Sequence, residues 1–326
     1  MTTALQDRFG RSIDYLRLSV TDRCDLRCSY CMPQGFNDYG EPVDWLTFEE
    51  ITRVVAAFTR LGTSKFRLTG GEPLLRRNIS ELAARLKRIE GVEDLSLSTN
   101  ATQLARHAAA LKAAGVSRLN VSLDSLCAER VLNITRRDAL ASVLDGLVVA
   151  KSAGFAPIKI NMVVMAGVNE DEITAMADFC LEHGFVLRLI ETMPVGDTGR
   201  NAGFVDLQPI RKQLQSRYGM VDGLVAGGGP ARYLVTADGR FSIGFITPMS
   251  QHFCETCNRV RLTVDGTLYL CLGDDSKFEL RPLLRSGISD AGLESAIREA
   301  IELKPEKHEF REQPGKIIRI MSATGG

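Results

Sequence analysis

The chain has 326 residues, of which 44% are hydrophobic and 25% are charged. This is the composition of an ordinary globular protein, and it excludes a disordered chain and a fibre. Lys plus Arg and Asp plus Glu both number 40, and such a balance argues against a nucleic-acid coat or a polybasic membrane binder. No apolar run approaches the roughly 20 residues of a membrane span, and the N-terminus lacks the apolar core of a secretion signal. We therefore expect a cytoplasmic protein of about two domains, with neither nucleic acid nor a membrane as partner.

Six β-rich runs alternate with amphipathic helical patterns in the first part of the chain. The predicted strands are residues 13–20, 65–69, 94–98, 118–122, 158–165 and 186–190. Thr47 and Glu50 have the spacing of a capping box at the first helix, and Asn78 and Glu81 repeat that spacing before the second. Helix-ending glycines follow several helical patterns, at Gly62, Gly115, Gly154 and Gly184. Six strand–helix units in series predict an α/β fold, a partial (βα)6 TIM-like barrel whose chemistry belongs at the carboxyl ends of its strands.

The pattern changes after residue 191. Residues 196–203 have the composition of a loop, and the Gly-Gly-Gly-Pro run at 227–230 breaks regular structure. Two hairpins are predicted beyond it, at 233–246 and 260–271, and a helix at 290–303. We expect a barrel domain over residues 1–194 and a smaller C-terminal α+β region over residues 195–326.

Three cysteines, Cys24, Cys28 and Cys31, directly follow the first predicted strand. Clustered cysteines in a chain without a secretion signal indicate metal binding more than disulfides. A tetrahedral zinc site would need a fourth ligand, and no other Cys or His lies nearby in the sequence. The spacing therefore predicts a four-iron cluster with one iron left open for a small molecule. A structural zinc site completed from elsewhere in the chain is the alternative.

A second group, Cys254, Cys257 and Cys271, falls in the C-terminal region. It predicts a second open cluster, with a zinc ribbon that uses the neighbouring His252 as the alternative. Arg259 and Arg261 alternate along a predicted strand and so point to one side. Two guanidinium groups there favour an anionic ligand such as phosphate.

The two remaining cysteines, Cys127 and Cys180, are expected to be small buried apolar side chains. Basic residues also occur on the strands of the predicted barrel, at Arg17, Lys65, Arg67, Lys159 and Arg188. One such residue often lies on a solvated face or in an ion pair. Several of them aimed into one barrel predict a compact polyanion as ligand.

The first cysteine motif and Gly70-Gly71-Glu72-Pro73 together resemble the radical S-adenosylmethionine (SAM) enzymes. The resemblance implies that the open iron chelates the cofactor and that an electron cleaves it to a 5′-deoxyadenosyl radical. Glycines allow close backbone approach, and Glu72 can accept a charged hydrogen bond from the ammonium group of the cofactor.

Both cysteine triads, the arginine pair and the terminal Gly325-Gly326 together resemble one family within that group, the MoaA family of GTP 3′,8-cyclases of molybdenum cofactor biosynthesis. This resemblance covers essentially the whole chain. It implies two [4Fe-4S] clusters, one on Cys24, Cys28 and Cys31 and one on Cys254, Cys257 and Cys271. It implies that SAM is bound by Tyr30, Gly71, Glu72, Ser122 and Met193. It implies that GTP is bound by Arg17, Arg67, Ser98, Lys159, Arg259 and Arg261, with Lys65 and Arg188 as further neighbours of the triphosphate.

The residues expected to act in catalysis by this resemblance are Arg17, Arg259, Arg261, Gly325 and Gly326. Two departures from the family pattern are visible. Ser98 stands where the family usually has Thr, and Thr324 stands where a β-branched apolar residue is usual.

The resemblance also implies a reaction. The radical takes hydrogen from C3′ of GTP, and the carbon radical attacks C8 of guanine to give (8S)-3′,8-cyclo-7,8-dihydroguanosine 5′-triphosphate. The implied partners are a flavodoxin or ferredoxin as electron donor and cyclic pyranopterin monophosphate synthase as recipient of the product, with the chain a homodimer or monomer. Two rivals stay open, a peptide-modifying radical enzyme and a two-cluster electron carrier. Carriers use complete cysteine sets, and both sets here are one cysteine short.

Overall fold

In a computed structural model that describes residues 4–225 and 227–325, twelve strands of these residues form one sheet. They are β1 (Tyr15–Ser19), β2 (Lys65–Thr69), β3 (Asp94–Thr99), β4 (Arg118–Ser122), β5 (Ile158–Val164), β6 (Val186–Glu191), β7 (Met220–Gly223), β8 (Arg232–Thr236), β9 (Ser242–Ile246), β10 (Arg259–Leu262), β11 (Thr267–Tyr269) and β12 (Lys277–Glu279). Their order in the sheet is β12-β11-β10-β1-β2-β3-β4-β5-β6-β9-β8-β7.

The six predicted strands lie side by side in chain order, and each neighbouring pair is parallel. The C-terminal strands extend this sheet at both edges. Strand β10 pairs in parallel with β1, and β9 pairs in parallel with β6, while the outer strands are antiparallel. The predicted α/β class is confirmed, with a parallel sheet larger than six strands. The division at residues 194 and 195 stays a prediction.

Helices lie between these strands and after them. They are α1 (Phe48–Arg60), α2 (Ile79–Lys87), α3 (Leu104–Ala113), α4 (Ala128–Thr135), α5 (Leu140–Ser152), α6 (Ile173–His183), α7 (Gly196–Asn201), α8 (Leu207–Tyr218), α9 (Arg281–Arg285), α10 (Asp290–Glu302) and α11 (Met321–Thr324). Helix α1 begins with the predicted capping box, in which Thr47 Oγ1 accepts from Glu50 N and the Glu50 carboxylate accepts from Thr47 N. Ile51, Val54 and Phe58 then bury one face of the helix in the core at the expected helical spacing.

Three expectations about local structure are wrong. Asn78 precedes α2 in a left-handed backbone conformation, with φ of 60°, and its side chain makes no cap hydrogen bond, because a capping side chain needs an extended backbone. The segment predicted as a loop at 196–203 contains α7. That short helix is held by tertiary contacts, since Gly196 N and the Arg200 guanidinium both donate to the carbonyl oxygen of Ile317. Cys127 is exposed at the residue before α4, whereas Cys180 is buried as expected.

The glycine run after β7 lies against the amino-terminal ends of the barrel strands. A Cβ on Gly228 would lie 2.9 Å from Lys65 Cδ and 3.4 Å from a ring carbon of Tyr15. Both residues are the first of their strands, so this run covers the end of the barrel opposite to the expected chemistry. No helix within residues 4–225 or 227–325 is long and apolar enough to span a membrane.

Candidate active site

Three buried arginines lie level with one another on adjacent strands. Arg17 on β1 is in register with Arg67 on β2 and with Arg261 on β10, and all three are buried. Burial, Arg261 and Arg67 together hold the pKa of Arg17 well below its ordinary value. Like charges at this spacing destabilise one another unless an anion lies between them. The sheet register therefore builds a candidate anion site from residues more than 240 positions apart in the chain.

A cavity of about 230 Å³ runs along the inside of the sheet beside these arginines. It is lined by Arg17, Arg67, Arg188, Arg259 and Arg261, together with all three cysteines of the second group. The Nε atoms of Arg188 and Arg259 are buried with no hydrogen-bond acceptor in the part of the chain that the structure describes. Donors without acceptors fit a ligand that carries several anionic oxygens.

A smaller cavity of about 140 Å³ lies at the carboxyl ends of β2, β3 and β4 and is lined by Cys24, Cys28 and Cys31. It adjoins the larger cavity, because the two are lined in common by Tyr30, Ser98, Ser122 and Met321. A molecule in one cavity is thereby placed next to a molecule in the other.

The first cysteine triad lies in the loop after β1 and is partly buried. Burial raises the pKa of Cys24 to about 12, with Glu72 adding to the effect, and burial also raises the pKa of Cys31 to about 12. Thiols with such pKa values stay protonated in the absence of metal, and coordination is what deprotonates them. Asn100 Nδ2 lies 3.7 Å from Cys24 Sγ as a hydrogen-bond donor. Tyr30 is held by a 2.8 Å hydrogen bond from its hydroxyl to Asp124.

The Gly-Gly-Glu-Pro segment packs against this loop. A Cβ on Gly70 would lie 2.5 Å from the carbonyl oxygen of Thr21, and a Cβ on Gly71 would lie 2.3 Å from that of Arg23. The two glycines are therefore required for contact with the chain that leads into the cysteine loop. Gly71 also lines the smaller cavity.

Glu72 does not line that cavity, but it bonds to Thr99 and Asn100, which do. Its buried carboxylate accepts hydrogen bonds from Leu74 N, Asn100 N and the Thr99 hydroxyl, at 2.7–3.0 Å. Burial raises the pKa of Glu72 to about 7 in spite of these bonds. The structure thus gives Glu72 three partners within the chain, and its contact with a cofactor ammonium stays a prediction.

The second triad is assembled from two segments. Cys254 begins a short 3-10 turn before β10, Cys257 directly follows that turn, and Cys271 follows β11. Burial by itself raises the pKa of Cys257, but the positive charges of Arg259 and Lys304 outweigh it and lower the pKa to about 7. A thiol with this pKa is partly ionised at neutral pH and is a ready metal ligand.

Three thiols beside a cavity are the donor set of a cubane cluster with one open iron, and both triads fit it. A single zinc ion would draw its thiolate sulfur atoms to within about 4 Å of one another. Within the described ranges, no group of three or more His, Cys, Asp or Glu side chains is placed to hold one metal ion.

Comparison with known proteins decides the family. The model of the Radical SAM superfamily matches residues 18–180, and that of Molybdenum Cofactor Synthesis C matches residues 185–310. A GTP 3′,8-cyclase of Erythrobacter litoralis is 48% identical over 99% of this chain and 98% of its own length. The chain belongs to the GTP 3′,8-cyclase family of radical SAM enzymes. A family member from Ectopseudomonas mendocina is 44% identical over 100% of this chain and 99% of its own length.

Solved structures agree on the fold. Streptococcus suis SuiB bound to S-adenosylmethionine superposes with a TM-score of 0.61 at 13% identity, over 99% of this chain and 77% of SuiB. This likeness confirms the predicted partial barrel, and at such low identity it carries no more than the fold. Family membership accounts for a [4Fe-4S] cluster and SAM as cofactors.

The C-terminal tail of this family member reaches the arginine site. The Arg261 guanidinium donates to the carbonyl oxygen of Gly325 and, at 3.5 Å, to that of Thr324. Gly325 is buried with φ of +74°, and a Cβ there would lie 2.5 Å from Thr69 Cγ2. Residue 325 therefore lies where a side chain has no room. Gly326 lies outside the described residues, so its predicted role stays a prediction.

Three residues that the family resemblance implies as contacts of GTP or SAM have surroundings within the chain that differ from those of the other site residues. Lys65 pairs with Asp14 at 2.5 Å, and Lys159 Nζ lies 3.2 Å from the Tyr233 hydroxyl. Neither lysine lines either of the two cavities. Met193, expected at SAM, lines the larger cavity instead. The contacts of these residues with bound molecules stay predictions.

Two residues of the site were missed by the sequence analysis. Tyr15 lines the larger cavity, and its buried hydroxyl has no hydrogen-bond partner in the residues described. The signal was available, because Tyr15 is two residues before Arg17 and so shares its face of the strand. Lys304 lies against the second triad, and no local pattern around it pointed there.

Proposed function

We propose that this chain is a GTP 3′,8-cyclase with SAM and one [4Fe-4S] cluster in the smaller cavity and GTP and a second [4Fe-4S] cluster in the larger one. The observation that carries the proposal is the junction of the two cavities at Tyr30, Ser98, Ser122 and Met321. A radical made in one cavity must meet a carbon atom held in the other, and the shared lining residues support this arrangement.

The cofactors supply the difficult chemistry: when bound, the first cluster provides the electron that cleaves SAM to the 5′-deoxyadenosyl radical. The residues of the chain bind and orient. Cys24, Cys28 and Cys31 would hold the first cluster, while Tyr30, Gly71 and Ser122 line the space for SAM. Hydrogen removal from C3′ would then allow C3′ to bond to guanine C8, and one further electron from the reductant with one proton would complete the 7,8-dihydroguanine product.

The arginines would bind the triphosphate of GTP. Arg17, Arg67, Arg259 and Arg261 present guanidinium groups to the larger cavity, and such groups form bidentate bonds to phosphate. Cys254, Cys257 and Cys271 would hold the second cluster, which would supply a free iron coordination site for guanine. Cyclisation needs C3′ and C8 in near-attack geometry, and fixing both ends of the nucleotide restricts it to such a geometry.

The test is anaerobic reconstitution followed by incubation with GTP, SAM and dithionite, with mass analysis of the nucleotide. We expect about eight irons per chain from two cubane clusters and a cyclised nucleotide isomeric with GTP. Replacing Cys24, Cys28 and Cys31 by Ala should halve the iron and abolish SAM cleavage. Replacing Cys254, Cys257 and Cys271 should also halve the iron but leave SAM cleavage measurable.

Cys127→Ala is the matched control, because Cys127 is exposed and outside both triads; iron content and product should not change. Zinc at the second triad with four irons in total would contradict the second cluster. The same proposal has three further parts. The product passes to cyclic pyranopterin monophosphate synthase, flavodoxin or ferredoxin reduces the clusters, and the chain is a monomer or a homodimer.

A further inference from the structure

Lys304 carries a buried ammonium group that pairs with no carboxylate of the described residues. Its residue is 1% exposed. Its Nζ donates to the carbonyl oxygens of Arg259, at 3.1 Å, and of Leu270, and it lies 3.6 Å from Cys257 Sγ as a donor. Among the ion pairs of residues 4–225 and 227–325, none involves Lys304. A buried charge of this kind is costly unless an opposite charge lies close by.

Arg11, a second buried cation beside this triad, shows the contrast. It donates to the carbonyl oxygen of Cys254 at 2.9 Å, and it pairs with the Asp7 carboxylate at 2.6 Å. Other positive groups around the triad, Arg259, Arg261 and Arg319, add to the positive charge rather than balance it. Of the three acceptors that the described residues offer to Lys304 Nζ, only the Cys257 thiol can carry a negative charge.

The two carbonyl acceptors of Lys304 lie in the two segments that make up the triad. Arg259 is two residues after Cys257, and Leu270 directly precedes Cys271. The ammonium group therefore bridges both cysteine segments. The backbone of Lys304 is held in place by its neighbours in the chain. It follows α10, which buries Leu293, Ile297 and Ile301 in the core, and Lys304 N donates to Ile301 O at 3.0 Å.

We infer that Lys304 is a positioning residue for the second cluster, whose thiolates are the missing counter-charge of its ammonium group. The inference rests on the proposed function, since it requires a cluster on Cys254, Cys257 and Cys271. A cubane cluster with three thiolates is anionic and becomes more so on reduction, and a fixed cation beside it favours the reduced form. Lys304 then holds the two cysteine segments together and keeps the reduction potential of the cluster high.

The experiment isolates the second cluster in full-length chain whose Cys24, Cys28 and Cys31 are replaced by Ala. In this parent we compare Lys304→Met, which removes charge and hydrogen bonds, with Lys304→Gln, which keeps a donor but removes the charge. Lys307→Met is the matched control, because Lys307 is exposed and pairs with Glu312 at 3.0 Å. The readouts are iron per chain, the rate of iron loss to a chelator, and the midpoint potential followed by electron paramagnetic resonance of the reduced cluster.

We expect Lys304→Met to lose iron about tenfold faster than the parent, the size seen when groups that support metal ligands are removed. Both Lys304 variants should have a more negative midpoint potential than the parent, and Lys307→Met should match the parent. An unchanged potential in Lys304→Gln and Lys304→Met overturns the inference, whatever happens to iron retention. If Lys304→Met does not fold, the midpoint potential of Lys304→Gln alone tests the inference. A parent that binds no iron at this triad contradicts the proposed function instead.

Discussion

Arg261 donates a hydrogen bond to the backbone carbonyl oxygen of Gly325, 64 residues further along the chain. The same guanidinium group lies in register with Arg17 and lines the larger cavity. The Arg261 side chain therefore belongs to the candidate anion site and also contacts the C-terminal tail. Because the tail lies on a residue expected to bind the substrate, we expect the tail to lie beside the bound substrate.

Arg261→Ala should weaken GTP binding while both clusters stay intact. Loss of one charge-assisted contact to phosphate costs about 1.5–3 kcal/mol, which is roughly 10- to 150-fold in affinity. Equilibrium binding of GTP to the reconstituted protein measures this. Arg240→Ala is the control, since the Arg240 side chain is 85% exposed, and it should bind GTP normally. Equal binding by Arg261→Ala and the unaltered protein would remove Arg261 from the GTP site.

Gly325→Ala should abolish the cyclised product while folding, iron content and GTP binding remain. The added Cβ would clash with Thr69 Cγ2 at 2.5 Å, and a φ of +74° is unfavourable for alanine. Deletion of Gly325 and Gly326 together should have the same result. Gly315→Ala serves as control, because nothing lies within 4 Å of a Cβ at that position. Product formation at the full rate by the truncated chain would mean that the tail has no part in the reaction.

Tyr15→Phe should weaken GTP binding and stabilise the ligand-free protein. The Tyr15 hydroxyl is buried, has no partner in the described residues and lines the larger cavity. Removing an unsatisfied polar group stabilises the ligand-free fold, whereas losing a bond to a charged oxygen costs about 1.5–3 kcal/mol of binding. Thermal melts and GTP titrations measure the two effects, which have opposite signs. Tyr218→Phe, which removes a surface hydrogen bond to Asp178, should leave GTP binding unchanged, and a Tyr15→Phe variant that binds GTP equally well would exclude the contact.

Lys159→Met should change how stability depends on pH. Burial, and then Arg188 and Arg118, lower the pKa of Lys159 from 10.5 to about 7. Between these two values the unfolded chain holds a proton that the folded chain has lost, so the free energy of unfolding rises with pH. Lys159→Met lacks this pH dependence. Its free energy of unfolding should exceed that of the unaltered protein by most at pH 6, and the excess should shrink toward pH 10. Urea unfolding across that range measures it. The exposed Lys151→Met is the control, and a pH-independent difference for Lys159→Met would contradict the prediction.

The local elements followed from the sequence because their causes are local. A capping box lies within four residues, and strand alternation has a period of two. The three cysteines within residues 24–31 show the spacing of a cluster-binding motif directly in the sequence. These features allowed prediction of six parallel strands, the cysteine loop after β1 and the arginines that line the larger cavity. The same reasoning failed at Asn78, where the spacing of a cap is present but the backbone is left-handed.

Long-range pairing was decided by the tertiary structure alone. The pairing of β10 with β1 brings Arg261 level with Arg17, and no periodicity in the sequence relates segments 244 residues apart. Lys304 looks like an ordinary basic residue after a helix until the packing of α10 brings it to Cys257. The short helix α7 forms in a segment with loop composition because residue 317 supplies its hydrogen bonds. Spacing along the chain specifies which groups are available, whereas burial, register and charge balance depend on segments that meet only in the folded protein.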